Sequence, residues 1–129
     1  MARVRNTRQR SAILEALEEA SGFRSAQEIH AHLRAEGTAI GLATVYRALQ
    51  TFSESGDVDV VRREDGEAIY RRCATDHHHH HLVCRACGYS VEIDNAELET
   101  WAERSARKHG FSDVTHDLEI FGTCQRCSA

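Results

Sequence analysis

The chain has 129 residues, 41% of them hydrophobic and 28% charged, with a formal charge of 16 minus 20, or −4. That length accommodates one ordinary domain or two small ones, each near the size at which an apolar core alone is marginal. The opening MARVRNTRQR lacks the apolar stretch of a signal peptide, and no run approaches the roughly 18 apolar residues that span a bilayer, so the expectation is a cytoplasmic protein with no membrane partner.

The charge is unevenly distributed. Residues 1–72 carry 11 basic and 11 acidic side chains, and residues 73–129 carry 5 and 9. Arg3, Arg5, Arg8 and Arg10 precede any carboxylate, as a solvated arm or as charge for phosphates. Thr7 is the expected cap of a first helix whose Ile13, Leu14, Leu17 and Ala20 share a face, with Ser21-Gly22 as its stop. Ser25-Ala26-Gln27-Glu28 is a capping box for a second helix, with Ile29 and Leu33 inward and Gly37 at its end. A third amphipathic segment runs from about Leu42 to Ser55, with Val45, Leu49 and Phe52 inward, Ala48 on the flank and Gly56 as its stop.

VDVVRR and AIYRRC then flank Glu64-Asp65-Gly66-Glu67, whose Asp-Gly pair signals a hairpin. Three short helices and a hairpin predict a winged helix-turn-helix. The polar outer face of the third helix, with Thr44, Tyr46 and Arg47, separates this reading from an arbitrary small α+β domain. Residues 74–77 are the expected linker between a winged-helix domain at 1–73 and a second domain at 78–129. In the second domain HHHLVC and YSVEI read as strands around a Cys84-Arg85-Ala86-Cys87-Gly88 turn. Asn95 caps a helix from Ala96 to His109, and Val114 to Phe121 alternate as a third strand. The fold class is therefore α+β, with a small C-terminal α/β domain built on a three-stranded antiparallel sheet. Such a sheet leaves an open edge, which pairing with a two-fold mate would cover, so a homodimer is expected.

Five cysteines, an odd number, beside nine histidines and with no secretion signal, read as metal ligands before disulfides. Cys84-x-x-Cys87 and Cys124-x-x-Cys127 have the spacing that offers each pair of thiolates to one tetrahedral ion. Soft sulfur favours zinc, and a closed four-sulfur set is structural because it leaves no open coordination position. In an extended run from His77 to His81, side chains alternate between faces, so His79 and His81 share one face and His78 and His80 the other. One run can thus serve two metals. His116, on the third strand, and Glu99, in the first turn of the last helix, are candidates for one face. In the wing the nearest candidates for the other are Asp59 and Cys73, opposite each other with a three-residue hairpin loop and offset by one if the loop is Asp65-Gly66 alone.

With GLATVYRALQTF at residues 41–52, HHHHHLVCRACG at 77–88 and the terminal Cys124-x-x-Cys127, the chain resembles the ferric uptake regulator family of metal-sensing repressors over nearly its whole length. The resemblance implies an N-terminal winged helix and a C-terminal dimerisation domain, with metal at their junction adjusting the angle between them. Iron-sensing members often place a histidine just before the Ser-Ala of the second helix. Here Phe23 and Arg24 stand there, which weakens an iron reading; an iron-, manganese- or peroxide-sensing member of the same family is the alternative. In the zinc uptake regulator branch the sensing site is similar to Asp59, Cys73, His79 and His81, and an additional site to His78, His80, Glu99 and His116. With the four-cysteine site, that implies up to three zinc ions per chain. Cys73 discriminates, because a thiolate among nitrogen ligands prefers zinc.

The implied function is a dimeric, zinc-responsive repressor of zinc-uptake genes that binds an AT-rich palindromic operator. Thr44, Tyr46 and Arg47 would sit at the major groove, and Arg5 and Arg10 on the backbone or minor groove. A zinc enzyme is the rival of another class. The chain has no H-E-x-x-H, and with no proline it cannot carry the Pro-Cys-x-x-Cys deaminase signature. A zinc buffer would leave the winged helix idle.

Overall fold

The computed structural model describes residues 2–20, 22–72 and 78–129, with side chains from residue 7 onward. Helix α1 (Ala2–Glu19) runs straight through the arginine-rich arm, so Thr7 lies inside it and does not cap it. No glycine or proline precedes Gly22, and Arg, Gln and Ala are good helix formers, so nothing in the sequence ends the helix early. Of its expected stop, Ser21 lies outside the described residues. A two-residue strand with no pattern of its own, β1 (Arg24–Ser25), follows.

Helix α2 (Ala26–Ala35) opens on the expected capping box: Ser25 Oγ accepts from the Glu28 amide and Glu28 Oε1 accepts from the Ser25 amide, both at 3.1 Å. Helix α3 (Leu42–Ser55) buries Val45, Ala48, Leu49 and Phe52 and ends on Gly56 at φ 83°, where a side chain would be strained. Strands β2 (Val58–Arg62) and β3 (Ala68–Arg72) form the wing, and with β1 they make an antiparallel sheet in the order β1-β3-β2. Arg63 and Glu67 close the hairpin around a three-residue loop, so Asp59 faces Arg71 rather than position 73. One apolar core joins α1, α2, α3 and the wing through Ile13, Leu17, Ile29, Leu33, Leu49 and Val58.

In the C-terminal half β4 (His80–Cys84) is central, flanked by β5 (Ser90–Ile93) and β6 (Glu119–Gly122). The three strands are as expected and β4 and β5 are antiparallel, but β6 runs parallel to β4. The reason is the connection. After α4 (Ala96–Lys108), residues 109–118 return the chain to the start of β4, setting Glu119 beside His81, so β6 leaves in the same direction as β4. The strand is also shorter than expected, and His116 precedes it in irregular backbone. A short helix α5 (Gln125–Ser128) closes the described chain. No helix among the described residues is long and apolar enough to cross a membrane.

The halves meet through a second small cluster. Phe23, wholly buried, packs with Val61 and Ile69 of the wing and Val83 of β4.

Candidate metal centres

Three groups of ligand-type side chains gather around the C-terminal sheet, and strand parity sets His79 and His81 apart from His78 and His80. In the first, β4 ends at buried Cys84, the following turn carries Cys87, and α5 is entered at Cys124, its N-cap, with Cys127 three residues on. The four sulfurs lie within 4.8 Å of one another, and Cys87 Sγ and Cys124 Sγ are 3.8 Å apart. That separation is about the edge of a tetrahedron with metal–sulfur bonds of roughly 2.3 Å. Amide donation from Cys124, then from Cys87, holds the Cys84 thiol down at about 6, while the thiols of Cys124, Cys87 and Cys84 push Cys127 up to about 12. Four thiolates this close would repel one another, and a shared cation would offset that repulsion. The donor set fits zinc.

In the second group His78, His80, Glu99 and His116 converge. Glu99 Oε1 is 2.8 Å from His80 Nε2 and 3.3 Å from His78 Nε2, and Glu99 Oε2 is 3.0 Å from His116 Nε2. The Nε2 atoms of His78 and His116 are 3.1 Å apart, and those of His116 and His80 3.3 Å. Three imidazoles aiming the same ring nitrogen at one point is the arrangement a shared ion requires. Asn95 caps α4 through the amides of Glu97 and Leu98, and that cap presents Glu99 from the first helical turn. Hydrogen bonding from His80 holds the Glu99 carboxyl below its ordinary value.

On the other face, Asp59 Oδ2 lies 2.8 Å from His79 Nε2 and 2.9 Å from His81 Nε2. Asp59 belongs to the wing and the histidines to the run that enters β4, so this group spans the junction. Cys73, the fourth residue of the set implied by resemblance, lies outside the described residues. Burial works to raise the Asp59 carboxyl, but hydrogen bonds from His81 and His79 outweigh it and hold it at about 2. Burial likewise works against charge on His81, yet Asp59 and Glu119 outweigh it and push its imidazolium up to about 9. Glu119 was missed in the sequence because no motif marks it: its Oε2 takes Nδ1 of His81 at 3.0 Å, which fixes the ring with Nε2 toward Asp59. A fourth gathering, Glu19, His32 and Glu36, is wholly exposed and made of surface ion pairs.

Tyr46 and Arg47 are exposed on α3, and Thr44 is half-buried with its Oγ1 3.5 Å from Arg47 Nη2. Arg10, Gln9, Thr44, Arg47 and Thr51 line a shallow groove of about 410 Å³ between α1 and α3. The Arg5 side chain lies outside the described residues.

A model of the ferric uptake regulator family matches residues 1–121. The chain belongs to the ferric uptake regulator family. That family consists of transcriptional regulators and not enzymes. Among its members, a zinc uptake regulation protein of Mycobacterium tuberculosis (strain CDC 1551 / Oshkosh) is 57% identical over 124 residues, 96% of this chain and 95% of the relative. The crystal structure of FurB, a zinc uptake regulator from M. tuberculosis, superposes with a TM-score of 0.58 at 57% identity, covering 96% of this chain and 95% of that one. A zinc uptake regulator complexed with zinc and DNA superposes with a TM-score of 0.72 at 27% identity, covering 93% and 81%. This member of the ferric uptake regulator family thus shares its fold with both.

Proposed function

We propose that this protein is a zinc-responsive transcriptional repressor that binds operator DNA as a homodimer when its regulatory zinc site is filled, and so controls zinc-uptake genes in the cytoplasm. The observation that carries the reading is Asp59 of the wing meeting His79 and His81 at the head of the C-terminal sheet. The zinc uptake regulator names of its relatives support the choice of metal, and the zinc and DNA complex of one of them supports the partner.

In this reading residues 1–73 form the DNA-binding domain, 74–77 a linker and 78–129 the dimerisation domain. Zinc, when bound, would give each of the three ligand groups a shared Lewis-acid centre for its donors. Asp59 stands on the wing and His79 and His81 on the sheet, and with Cys73 as the proposed fourth ligand the set would ligate together at one inter-domain angle only, the angle at which two recognition helices match successive grooves. Cys84, Cys87, Cys124 and Cys127 clamp the chain end to the sheet. His78, His80, Glu99 and His116 brace the strand from which His79 and His81 project.

The DNA face is α3. Tyr46 packs on a thymine methyl, Arg47 reaches a base edge, and Thr44, Arg10 and Arg5 contact the backbone of an AT-rich palindrome. The exposed row Val91, Leu82 and Ile120, which are paired neighbours across the C-terminal sheet, and α4, which buries none of its residues within the chain, support a dimer. Fluorescence anisotropy of labelled palindromic AT-rich duplexes, titrated with protein at buffered free zinc, tests this. Binding that rises with zinc and saturates at two chains per duplex is the expected result, and zinc-independent or absent binding would refute it.

A further inference from the structure

We propose that Gly22-Phe23-Arg24 is a latch between the two halves, with Arg24 as its positioning residue, through which the four-cysteine centre helps set the position of the DNA-binding domain. Its DNA readout rests on the function proposed above. Three consecutive residues of the segment before α2 grip the turn that carries Cys87. Gly22 forms an antiparallel bridge with Tyr89, the Phe23 amide donates to Gly88 O at 2.8 Å, and Arg24 Nη1 donates to Cys87 O at 2.9 Å. The same guanidinium nitrogen reaches Phe23 O at 3.3 Å, which ties the arm of the latch to its own backbone.

The approach is as close as backbone permits. A Cβ on Gly22 would stand 2.0 Å from Gly88 O, and one on Gly88, at φ 81°, would stand 2.4 Å from Phe23 O. Both glycines are therefore required by contact across the junction. Between the backbone grips, the buried Phe23 ring sits edge-on to His81 at 5.0 Å, so the latch also touches the Asp59, His79 and His81 group. It leads without interruption into the DNA-binding half: Arg24 and Ser25 pair with Tyr70 and Ile69 of the wing, and Ser25 caps α2. With an ion held by the four cysteines, the turn would present a fixed carbonyl pair, Cys87 O and Gly88 O, to the segment that positions α2 and the wing.

The test uses the full-length, zinc-loaded protein with Gly22→Val, Arg24→Ala and Arg24→Lys. The measurements are zinc content, oligomeric state, small-angle X-ray scattering, and affinity for a duplex that the wild-type protein has enriched from a random library. The latch predicts unchanged zinc content and dimerisation for Gly22→Val and Arg24→Ala, with about tenfold weaker binding at saturating zinc and a larger radius of gyration. Arg24→Lys, which keeps a donor, should recover part of the loss. Wild-type affinity and superimposable scattering in Arg24→Ala would overturn the proposal, even if Gly22→Val fails to fold. A lower melting temperature with unchanged affinity would mean that Arg24 only stabilises the fold, and this too overturns it. Should the wild-type protein enrich no duplex, the proposed function fails, while the scattering comparison still decides the latch.

Discussion

The Asp59 carboxylate, carried by the wing, stands 2.9 Å from His81 Nε2, carried by the C-terminal sheet. Each is a stub of its own sheet, so neither can move far without changing the angle between the halves. Glu119 holds the opposite nitrogen of the same ring at 3.0 Å and so decides which way Nε2 points. Glu119→Gln should therefore weaken the regulatory site without removing a ligand, by the roughly 10–100-fold typical of lost outer partners. In a DNA-binding titration the midpoint should move to higher free zinc by about tenfold or more, with the plateau unchanged.

Cys84→Ser or Cys124→Ser removes a ligand from the closed four-sulfur set. Because binding energy at such a site is folding energy, the variant should lose one zinc per chain and unfold or monomerise its C-terminal half. Elemental analysis with analytical ultracentrifugation checks this, and a well-folded dimer lacking that zinc would contradict it.

Arg47→Ala should lower operator affinity by about 1 to 3 kcal/mol, the worth of one good base contact, with metal content and dimerisation unchanged. Exposed and next to Thr44, Arg47 supports little else in the fold, so a change in thermal stability is not expected. Anisotropy at matched salt is the measurement.

His116→Ala should leave the response alive but blunted. All four members of its group belong to the C-terminal half, so emptying that site loosens the strand bearing His79 and His81 without removing the strut to the wing. The zinc titration should shift to higher zinc or reach a lower plateau. Complete loss of response with fold intact would exchange the roles of the two faces.

Much of this was legible in the sequence because it rests on short periodicities. The period of two along an extended chain set His79 and His81 on one face and His78 and His80 on the other, whereas their grouping with Asp59 and with Glu99 and His116 was what the family resemblance implied. The Ser25 capping box and the Gly56 stop followed from their local chemistry. What escaped depended on the choice of turn or on contacts distant in sequence. The hairpin closes at Arg63 and Glu67, and this sets Asp59 opposite Arg71. The direction of β6 follows from the path of residues 109–118, which carry no periodic signal, and Glu119 acquires its role only because that path places it beside His81. At β1 and α5 the elements are too short to show a pattern, and Gly22 looks like an ordinary helix stop until its contact with Gly88 is seen.

In the proposed mechanism the group joining wing to sheet is the switch. Asp59→Ala and Cys73→Ser each remove one proposed ligand of this group and none of the proposed ligands of the other two. The most direct measurement is the affinity of these variants for operator duplex across a range of buffered free zinc, with dimerisation and four-cysteine zinc verified in the same samples. Both variants should be folded dimers whose DNA binding stays at the zinc-free level at every zinc concentration. Zinc-dependent binding with the wild-type midpoint in either variant would contradict it.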